Sequence, residues 1–268
     1  MRLYADGINY YVELHQSNKN KPYLLMLHGF MGSGNAFSHL IAPLSEFCNP
    51  LTIDLAGHGK TETPADESLF TTERQINQVL SILNRISFDN LFLYGYSMGG
   101  RLAFQLAGNH PEYFKGAIIE SAHCGIQDED ERDQRRELDF KRAEKIRTDF
   151  KNFLDEWLKM PLFTTDKDDH SEHYFNIMKE QNPKLLSVSL QQFGAGVMPS
   201  VCEKLKQIDL PVHLIAGEND KKYVKLLSYK SELNQNFTFH KAPDSGHRVH
   251  IDRPKVLLSL IKSTISKS

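Results

Sequence analysis

Short apolar runs alternate with longer amphipathic stretches over the first half of the chain. Residues 22–27, 51–55, 91–94 and 116–120 are apolar runs of the length expected for central strands of a parallel sheet. Residues 71–86 carry apolar side chains at helical spacing, which predicts a helix between the second and third of these strands. Strands that alternate with helices imply right-handed crossovers, so this half of the chain predicts a parallel α/β sheet.

The strand pattern returns near the C-terminal end. Residues 210–216 and 236–242 predict two more strands, and residues 253–265 predict a closing helix with Pro254 near its first position. Close to the N-terminus, residues 10–14 predict an edge strand.

The pattern differs between residues 128 and 204, where no stretch predicts a strand. A charged helix is indicated over residues 131–147, and residues 150–158 form an amphipathic helix with its apolar side chains on one face. Pro161 and then residues 164–171 are expected to break the helices. We therefore predict an all-helical cap, inserted after the sixth strand of the core.

A Gly-x-Ser-x-Gly motif lies between the strand at residues 91–94 and the following helix. Gly95 and Gly99 permit a tight turn there, and Ser97 stands at the positive end of that helix. This arrangement is typical of the nucleophile elbow of the α/β-hydrolase fold, whereas the alternative is a glycine-rich turn with an idle serine. The predicted architecture is an α/β-hydrolase fold with a mostly parallel eight-stranded sheet flanked by helices. Its core would span residues 1–124 and 205–268, and its cap residues 125–204.

The candidate catalytic residues follow the chain order that is usual for this fold, Ser97, then Asp220, then His247. Each follows a predicted strand, and the carboxyl ends of parallel strands meet at one edge of the sheet. His247 would accept the serine proton and Asp220 would orient the imidazole. Asp244 and Asp54 compete with Asp220 for the acid role, and His247 is otherwise one of 12 surface or core histidines.

The loop after residues 22–27 begins with His28, Gly29 and Phe30. In this fold that loop supplies one N–H of the oxyanion hole, and the residue after the nucleophile supplies the other. The expected donors are therefore the backbone N–H groups of Phe30 and Met98.

Composition restricts the partners and the compartment. The 268 residues hold 32 Lys and Arg against 34 Asp and Glu, a net charge of -2, so neither nucleic acid nor a membrane surface is predicted as a partner. The N-terminus lacks an apolar signal core, and three widely spaced cysteines, Cys48, Cys124 and Cys202, predict reduced, mostly buried thiols. These features favour a cytoplasmic protein.

One acidic cluster invites a metal interpretation. Asp168, Asp169, His170, Glu172 and His173 lie close together, but the two histidines are poorly spaced for one helix face and no thiol joins them. We predict a solvated loop, and neither a metal nor a cofactor.

Beyond the fold, the whole chain resembles the 2-succinyl-6-hydroxy-2,4-cyclohexadiene-1-carboxylate synthase family of menaquinone biosynthesis. The resemblance is carried by residues 27–30, 54–59 and 95–101 in the core, and by residues 125–127, Arg132, Arg135, Trp157, 161–163 and 194–199 in the cap. It implies elimination of pyruvate from a tricarboxylate substrate, with Ser97 acting as a proton acceptor and the oxyanion hole holding an enolate. The implied substrate contacts are His28, Tyr96, Arg101, Gln127, Arg135 and Trp157.

Each implied contact has a plainer alternative. Arg101 would otherwise pair with a core carboxylate, and two of Arg132, Arg135 and Arg136 would be solvated. Trp157 would otherwise be a core residue of the cap. The family has a further arginine late in the cap, where this chain has Met178 or Lys179. Lys179 would supply the charge without the planar fork.

Two other functions share these motifs. A serine carboxylesterase or C–C bond hydrolase for a small acidic substrate would use the same triad, and a non-catalytic binding protein would keep only the fold. The oligomeric state does not follow from the sequence, although a monomer is compatible with it.

Overall fold

The structure is a computed structural model that describes residues 1–86, 88–160 and 168–267, without the side chains of residues 168–171. Within these residues eight strands form one sheet in the order β1-β2-β4-β3-β5-β6-β7-β8. The strands are β1 (Arg2–Ala5), β2 (Ile8–Leu14), β3 (Tyr23–Leu27), β4 (Asn49–Ile53), β5 (Leu91–Tyr96), β6 (Gly116–Glu120), β7 (Val212–Gly217) and β8 (Phe237–Ala242). The pairs β1–β2 and β2–β4 are antiparallel and the others are parallel, which confirms the predicted α/β-hydrolase architecture.

The predicted edge strand at residues 10–14 is not at the edge. β2 pairs with β4 on one side and with β1 on the other, so the edge belongs to β1. Asp6 and Gly7 join β1 to β2 with positive φ angles of 46° and 90°, as a tight hairpin requires. A four-residue strand is too short for its alternation to be read, but the Asp-Gly pair was an available signal.

Helices cover both faces of the sheet. The α-helices are α1 (Ser38–Ser45), α2 (Thr72–Ile86), α3 (Met98–Asn109), α4 (Glu129–Thr148), α5 (Phe150–Leu158), α6 (Asp168–Lys179), α7 (Pro183–Phe193), α8 (Cys202–Leu205), α9 (Lys221–Ser231), α10 (Val249–Asp252) and α11 (Pro254–Ser266). Short 3-10 helices span Gly34–Phe37, Glu67–Phe70 and Pro111–Tyr113. One apolar cluster contains α2 and α3 residues on one face of the sheet, and a second contains α1 and α11 residues on the other.

In the described part of the chain only helices and loops lie between β6 and β7, as the pattern predicted for an inserted cap. A third apolar cluster contains residues of all four helices from α4 to α7, with Ile146, Phe153, Tyr174 and Leu190 among its members. Residues 168–171 belong to α6, so the prediction that they break the helices is wrong, while Pro161 and residues 164–167 lie outside the described residues. The exact domain boundaries stay a prediction.

The cysteine prediction is wrong for two of the three thiols. Cys124 and Cys202 form a disulfide, with their Cα atoms 5.2 Å apart, and only Cys48 is a free buried thiol. The Val201 N–H also donates to the Cys124 carbonyl at 2.8 Å. The two cysteines are 78 residues apart in sequence, and it is folding of the intervening cap segment that brings them together.

Candidate active site

The turn between β5 and α3 presents Ser97 above the carboxyl edge of the sheet. Ser97 has φ 51°, a strained value for a residue with a side chain, and its N–H donates to the Glu120 carbonyl at 2.9 Å. A Cβ at Gly99 would lie 2.1 Å from the Leu27 carbonyl oxygen, so only glycine allows α3 to start this close to β3. The local geometry is that of a nucleophile elbow.

His247 lies between Ser97 and Asp220. Its Nε2 is 3.2 Å from the Ser97 Oγ, and its Nδ1 is 2.6 Å from the Asp220 Oδ2. Both His247 and Asp220 are buried. The carboxylate accepts from Nδ1–H, which leaves the Nε2 lone pair to accept the serine hydroxyl proton.

The two competing acids lie elsewhere. Asp244 pairs with Arg253 on the surface. Asp54 accepts from the backbone N–H groups of Gly34 and Lys60, and so braces the loop between them. Of the three candidates, only Asp220 contacts His247.

The backbone N–H groups of Phe30 and Met98 are placed next to the serine by the β3 loop and by the first turn of α3. Both residues line the cavity together with Ser97. Within the described residues neither N–H has a hydrogen-bond acceptor. Two such donors, one from a loop and one from the first turn of a helix, can stabilise a developing oxyanion.

His28 does not line the cavity, contrary to its predicted role as a substrate contact. Its Nδ1–H donates to the Gly29 carbonyl at 2.8 Å and its Nε2 accepts the Leu55 N–H at 3.0 Å. Complete burial lowers the pKa of His28 to about 4, so the ring is neutral. The imidazole is part of the support of the Phe30 loop.

A cavity of about 330 Å³ lies over the serine, between the sheet edge and the cap. No aspartate or glutamate of the described residues lines it. Five cationic side chains do, namely Arg101, Arg135, Arg142, Lys222 and Arg248. A cavity of this kind attracts an anion with several negative groups.

Arg101 projects from α3 into this cavity. Its guanidinium donates to the Phe193 carbonyl at 3.1 Å and lies 5.5 Å from the Phe193 ring centroid. Burial, and then the charge of Arg135, lower its pKa to about 10. The alternative of a core carboxylate partner fails, because no described acid forms an ion pair with it.

Of the three cap arginines weighed from the sequence, Arg132, Arg135 and Arg136, it is Arg135 that lines the cavity. Its Nε donates to Asp139 at 2.8 Å, and Arg142 lies 3.9 Å from the same carboxylate. The neighbouring Arg136 is exposed and pairs with exposed Asp133. The structure thus separates one cavity arginine from a solvated one, as predicted.

Two predicted aromatic contacts line the cavity. Tyr96 packs against His247, with ring centroids 5.5 Å apart. Trp157 from α5 packs edge-on against Phe30 at 5.9 Å, and Arg142 lies over its indole ring. Trp157 therefore lines the cavity and also packs against the apolar core of the cap.

Gln127 and Lys179 do not line the cavity. Gln127 is exposed and hydrogen-bonds to Lys230 and Glu203. Lys179 is exposed on α6 beside Phe175, whereas Met178 on the same helix lines the cavity. The expected late-cap cation is not supplied by either residue.

Sequence reasoning missed several cavity residues, and for some of them a simple signal was present. Lys222 and Tyr223 follow Asp220 closely, and Arg248 directly follows His247, so adjacency to the triad would have found them. His123 follows the end of β6, where the strand-end rule applies. Arg142 and Tyr174 come from cap helices, and only their packing reveals them.

The described residues contain no group of three or more side chains suited to a metal. Of the cluster suspected from the sequence, His173 bonds to the Asn35 carbonyl, while the side chains of Asp168, Asp169 and His170 lie outside the described residues. Among the described helices, none combines the length and the apolar character needed to cross a bilayer.

Comparison with known proteins gives consistent results. Residues 22–254 match the alpha/beta hydrolase fold family. A Bacillus subtilis (strain 168) protein, provisionally named 2-succinyl-6-hydroxy-2,4-cyclohexadiene-1-carboxylate synthase, is 30% identical over 98% of this chain and 96% of its own length. An Enterobacter sp. (strain 638) protein named as the same synthase is 29% identical, covering 90% of each chain.

A solved structure of MenH from S. aureus superposes with a TM-score of 0.89 at 26% identity, covering 97% of this chain and 98% of that one. The turn at Ser97 and the serine–histidine–aspartate contacts of this chain are features expected of an α/β hydrolase. The chain therefore belongs to the alpha/beta hydrolase fold family and, within it, to the family of 2-succinyl-6-hydroxy-2,4-cyclohexadiene-1-carboxylate synthases.

Proposed function

We propose that this protein is a lyase of menaquinone biosynthesis. It would eliminate pyruvate from 2-succinyl-5-enolpyruvyl-6-hydroxy-3-cyclohexene-1-carboxylate to leave 2-succinyl-6-hydroxy-2,4-cyclohexadiene-1-carboxylate, the product in its relatives' name. The observation that carries this proposal is a serine–histidine–aspartate arrangement at the base of a cavity with five cations and no described acid. A substrate with three carboxylates matches that charge, whereas a neutral ester does not use it.

The reaction begins with removal of a proton. His247, oriented by Asp220, accepts the Ser97 hydroxyl proton, and Ser97 in turn takes a proton from the ring carbon beside the succinyl ketone. The C–H electron pair moves onto the ketone and makes an enolate. Ser97 thus serves as a base and forms no covalent bond to the substrate.

The enolate oxygen carries the new negative charge. The N–H groups of Phe30 and Met98, which have no other acceptor in the described part of the chain, would donate to it. Removing one such donor in other enzymes costs about 3–4 kcal/mol of transition-state stabilisation.

Collapse of the enolate completes the elimination. The electron pair returns to form the ring C2=C3 bond, the pair of the existing C3=C4 bond shifts to C4=C5, and the C5–O bond to the enolpyruvyl group breaks. The leaving enolate of pyruvate takes up one proton, which His247 has acquired, so atoms and charge balance. Neither a cofactor nor water enters this sequence.

Arg101 and Arg135 are the proposed carboxylate contacts. Each guanidinium presents parallel N–H donors that match a carboxylate, and Asp139 holds the Arg135 side chain in position. Tyr96 and Trp157 would enclose the ring of the substrate.

The test is pyruvate release from the enolpyruvyl substrate, followed by coupled NADH oxidation, with p-nitrophenyl acetate as a parallel substrate. Ser97→Ala should reduce pyruvate release by at least about 10³-fold while its Tm stays close to wild type. Slow ester cleavage beside fast pyruvate release is the expected wild-type result. Fast ester cleavage without pyruvate would instead indicate a serine hydrolase, whose substrate would then be sought among small acidic esters.

A cytoplasmic location remains a prediction for this enzyme. The argument from reduced cysteines no longer supports that location, because the structure contains a Cys124–Cys202 disulfide. What supports it is the biosynthetic role proposed above.

A further inference from the structure

His123 is a cavity residue to which the mechanism above gives no task. It lies just past β6, only 7% of its surface is exposed, and it lines the same cavity as Ser97, Arg101 and Arg135. Its position is well fixed, because the next residue, Cys124, is held to Cys202 by the disulfide and to Val201 by a backbone hydrogen bond.

The tautomer of His123 follows from its backbone contact. The Gly125 N–H donates to the His123 Nδ1 at 3.1 Å, so Nδ1 carries a lone pair. In the neutral ring the proton is then on Nε2. Nε2 is therefore a hydrogen-bond donor and cannot serve as a base.

The ring stays neutral at ordinary pH. Burial, and then the charges of Arg101, Arg135, Lys222 and Lys230, keep the pKa of His123 well below its usual value. The donor is thus available without adding another positive charge to the cavity.

Within the described residues the Nε2–H has no acceptor, since the Gly125 contact is the one hydrogen bond of this ring. Because the ring lines the cavity, a ligand oxygen that enters the cavity can accept from this N–H without displacing a protein partner. Arg101 and Arg135 would bring a carboxylate into this part of the cavity, and a carboxylate has more lone pairs than one guanidinium fork uses.

We propose that the His123 Nε2–H donates a hydrogen bond to an oxygen of the substrate carboxylate held by Arg101 and Arg135, a role that rests on the proposed function. His123 is thus a neutral member of an otherwise cationic carboxylate site. It orients the carboxylate, which the long arginine side chains do less strictly.

Two substitutions of His123 test the contact at Nδ1 and the contact at Nε2 separately. His123→Asn keeps an oxygen that accepts from Gly125 N–H but has no group at the Nε2 position. His123→Gln extends an amide N–H to that position. We expect His123→Asn to lower kcat/KM for pyruvate release by about 10- to 100-fold, mainly through KM, and His123→Gln to stay within about 3-fold of wild type.

The kinetic results decide whether His123 contacts the substrate or only supports the fold. An unchanged kcat/KM for His123→Asn, or equal losses for both variants with equal drops in Tm, would overturn the proposal. A loss in His123→Asn that His123→Gln restores, at unchanged Tm, supports it.

A second measurement does not depend on turnover. In protein labelled with ¹⁵N-histidine, succinate serves as the dicarboxylate probe, and we expect it to shift the protonated Nε2 resonance of His123 in the wild type and not in Arg135→Ala. Succinate that binds without moving this resonance overturns the His123 role. Absence of pyruvate release together with the expected shift would refute the proposed reaction alone.

Discussion

At the scale of single residues, α4 offers two adjacent arginines in opposite environments. Arg135 lines the cavity and is held by buried Asp139, whereas Arg136 is exposed and pairs with exposed Asp133. A desolvated charge contact to substrate is worth far more than an exposed ion pair. The pair therefore provides a test with a matched control on the same helix.

We expect Arg135→Ala to lower kcat/KM by about 2–4 kcal/mol, or roughly 30- to 1000-fold, because a substrate carboxylate loses its guanidinium. Arg136→Ala should leave kcat/KM within about 2-fold of wild type. Steady-state pyruvate release measures both, with circular dichroism to check the fold. Similar losses in the two variants would mean that α4 acts through its stability and not through a carboxylate contact.

The same scale shows why some contacts were predicted and others were not. Ser97, Asp220 and His247 follow strand ends, and their order is a feature of the linear chain. Gln127 and Lys179 were placed in the site by resemblance alone, and the structure has both exposed outside the cavity. Which face of a cap helix turns inward depends on its neighbours in the fold.

At the scale of elements, the disulfide joins the segment after β6 to the start of α8, on the two sides of the cap helices α4 to α7. A crosslink between residues 78 positions apart removes conformational entropy from the unfolded chain. Removing the disulfide should therefore destabilise the protein, because the unfolded chain gains conformational entropy.

We expect Cys124→Ser/Cys202→Ser to lose about 2–4 kcal/mol of unfolding free energy, measured by urea denaturation. Thiol titration of the denatured, unreduced wild type should detect Cys48 alone, and reduction should add the two bridged cysteines. Cys48→Ser is the control, since its thiol lies outside the bridge. Three titratable thiols before reduction would contradict the disulfide.

At the scale of the whole molecule, several buried histidines couple the fold to pH. Burial lowers the pKa of His28 to about 4 and that of His58 to about 3. Histidines in the unfolded chain have pKa values of about 6.5. Between about pH 6.5 and the lowered pKa values, the unfolded chain therefore binds protons that the folded protein does not bind. Stability should therefore be complete above about pH 6.5 and fall as the pH drops towards about 4.

We expect the urea midpoint to be clearly lower at about pH 5 than at about pH 7. Protonation of His28 in the unfolded chain should account for a loss of about 2 kcal/mol of unfolding free energy between these two pH values. In His28→Asn the difference between the two pH values should shrink, although the variant is less stable at both because the Leu55 N–H loses its acceptor. An equal or higher midpoint for the wild type at about pH 5 would refute this coupling.

The chain by itself determined the sheet, the elbow and the triad. Three features can be read directly along the chain: apolar runs of strand length, glycines at a tight turn, and the serine–aspartate–histidine order. The carboxyl ends of parallel strands then meet at one edge of the sheet, independently of the conformation of the loops. Only the tertiary structure decided the Cys124–Cys202 pairing and which side chains of the cap helices form the cavity wall. These depend on contacts between segments far apart in sequence, and periodicity within one segment carries no information about its distant partner.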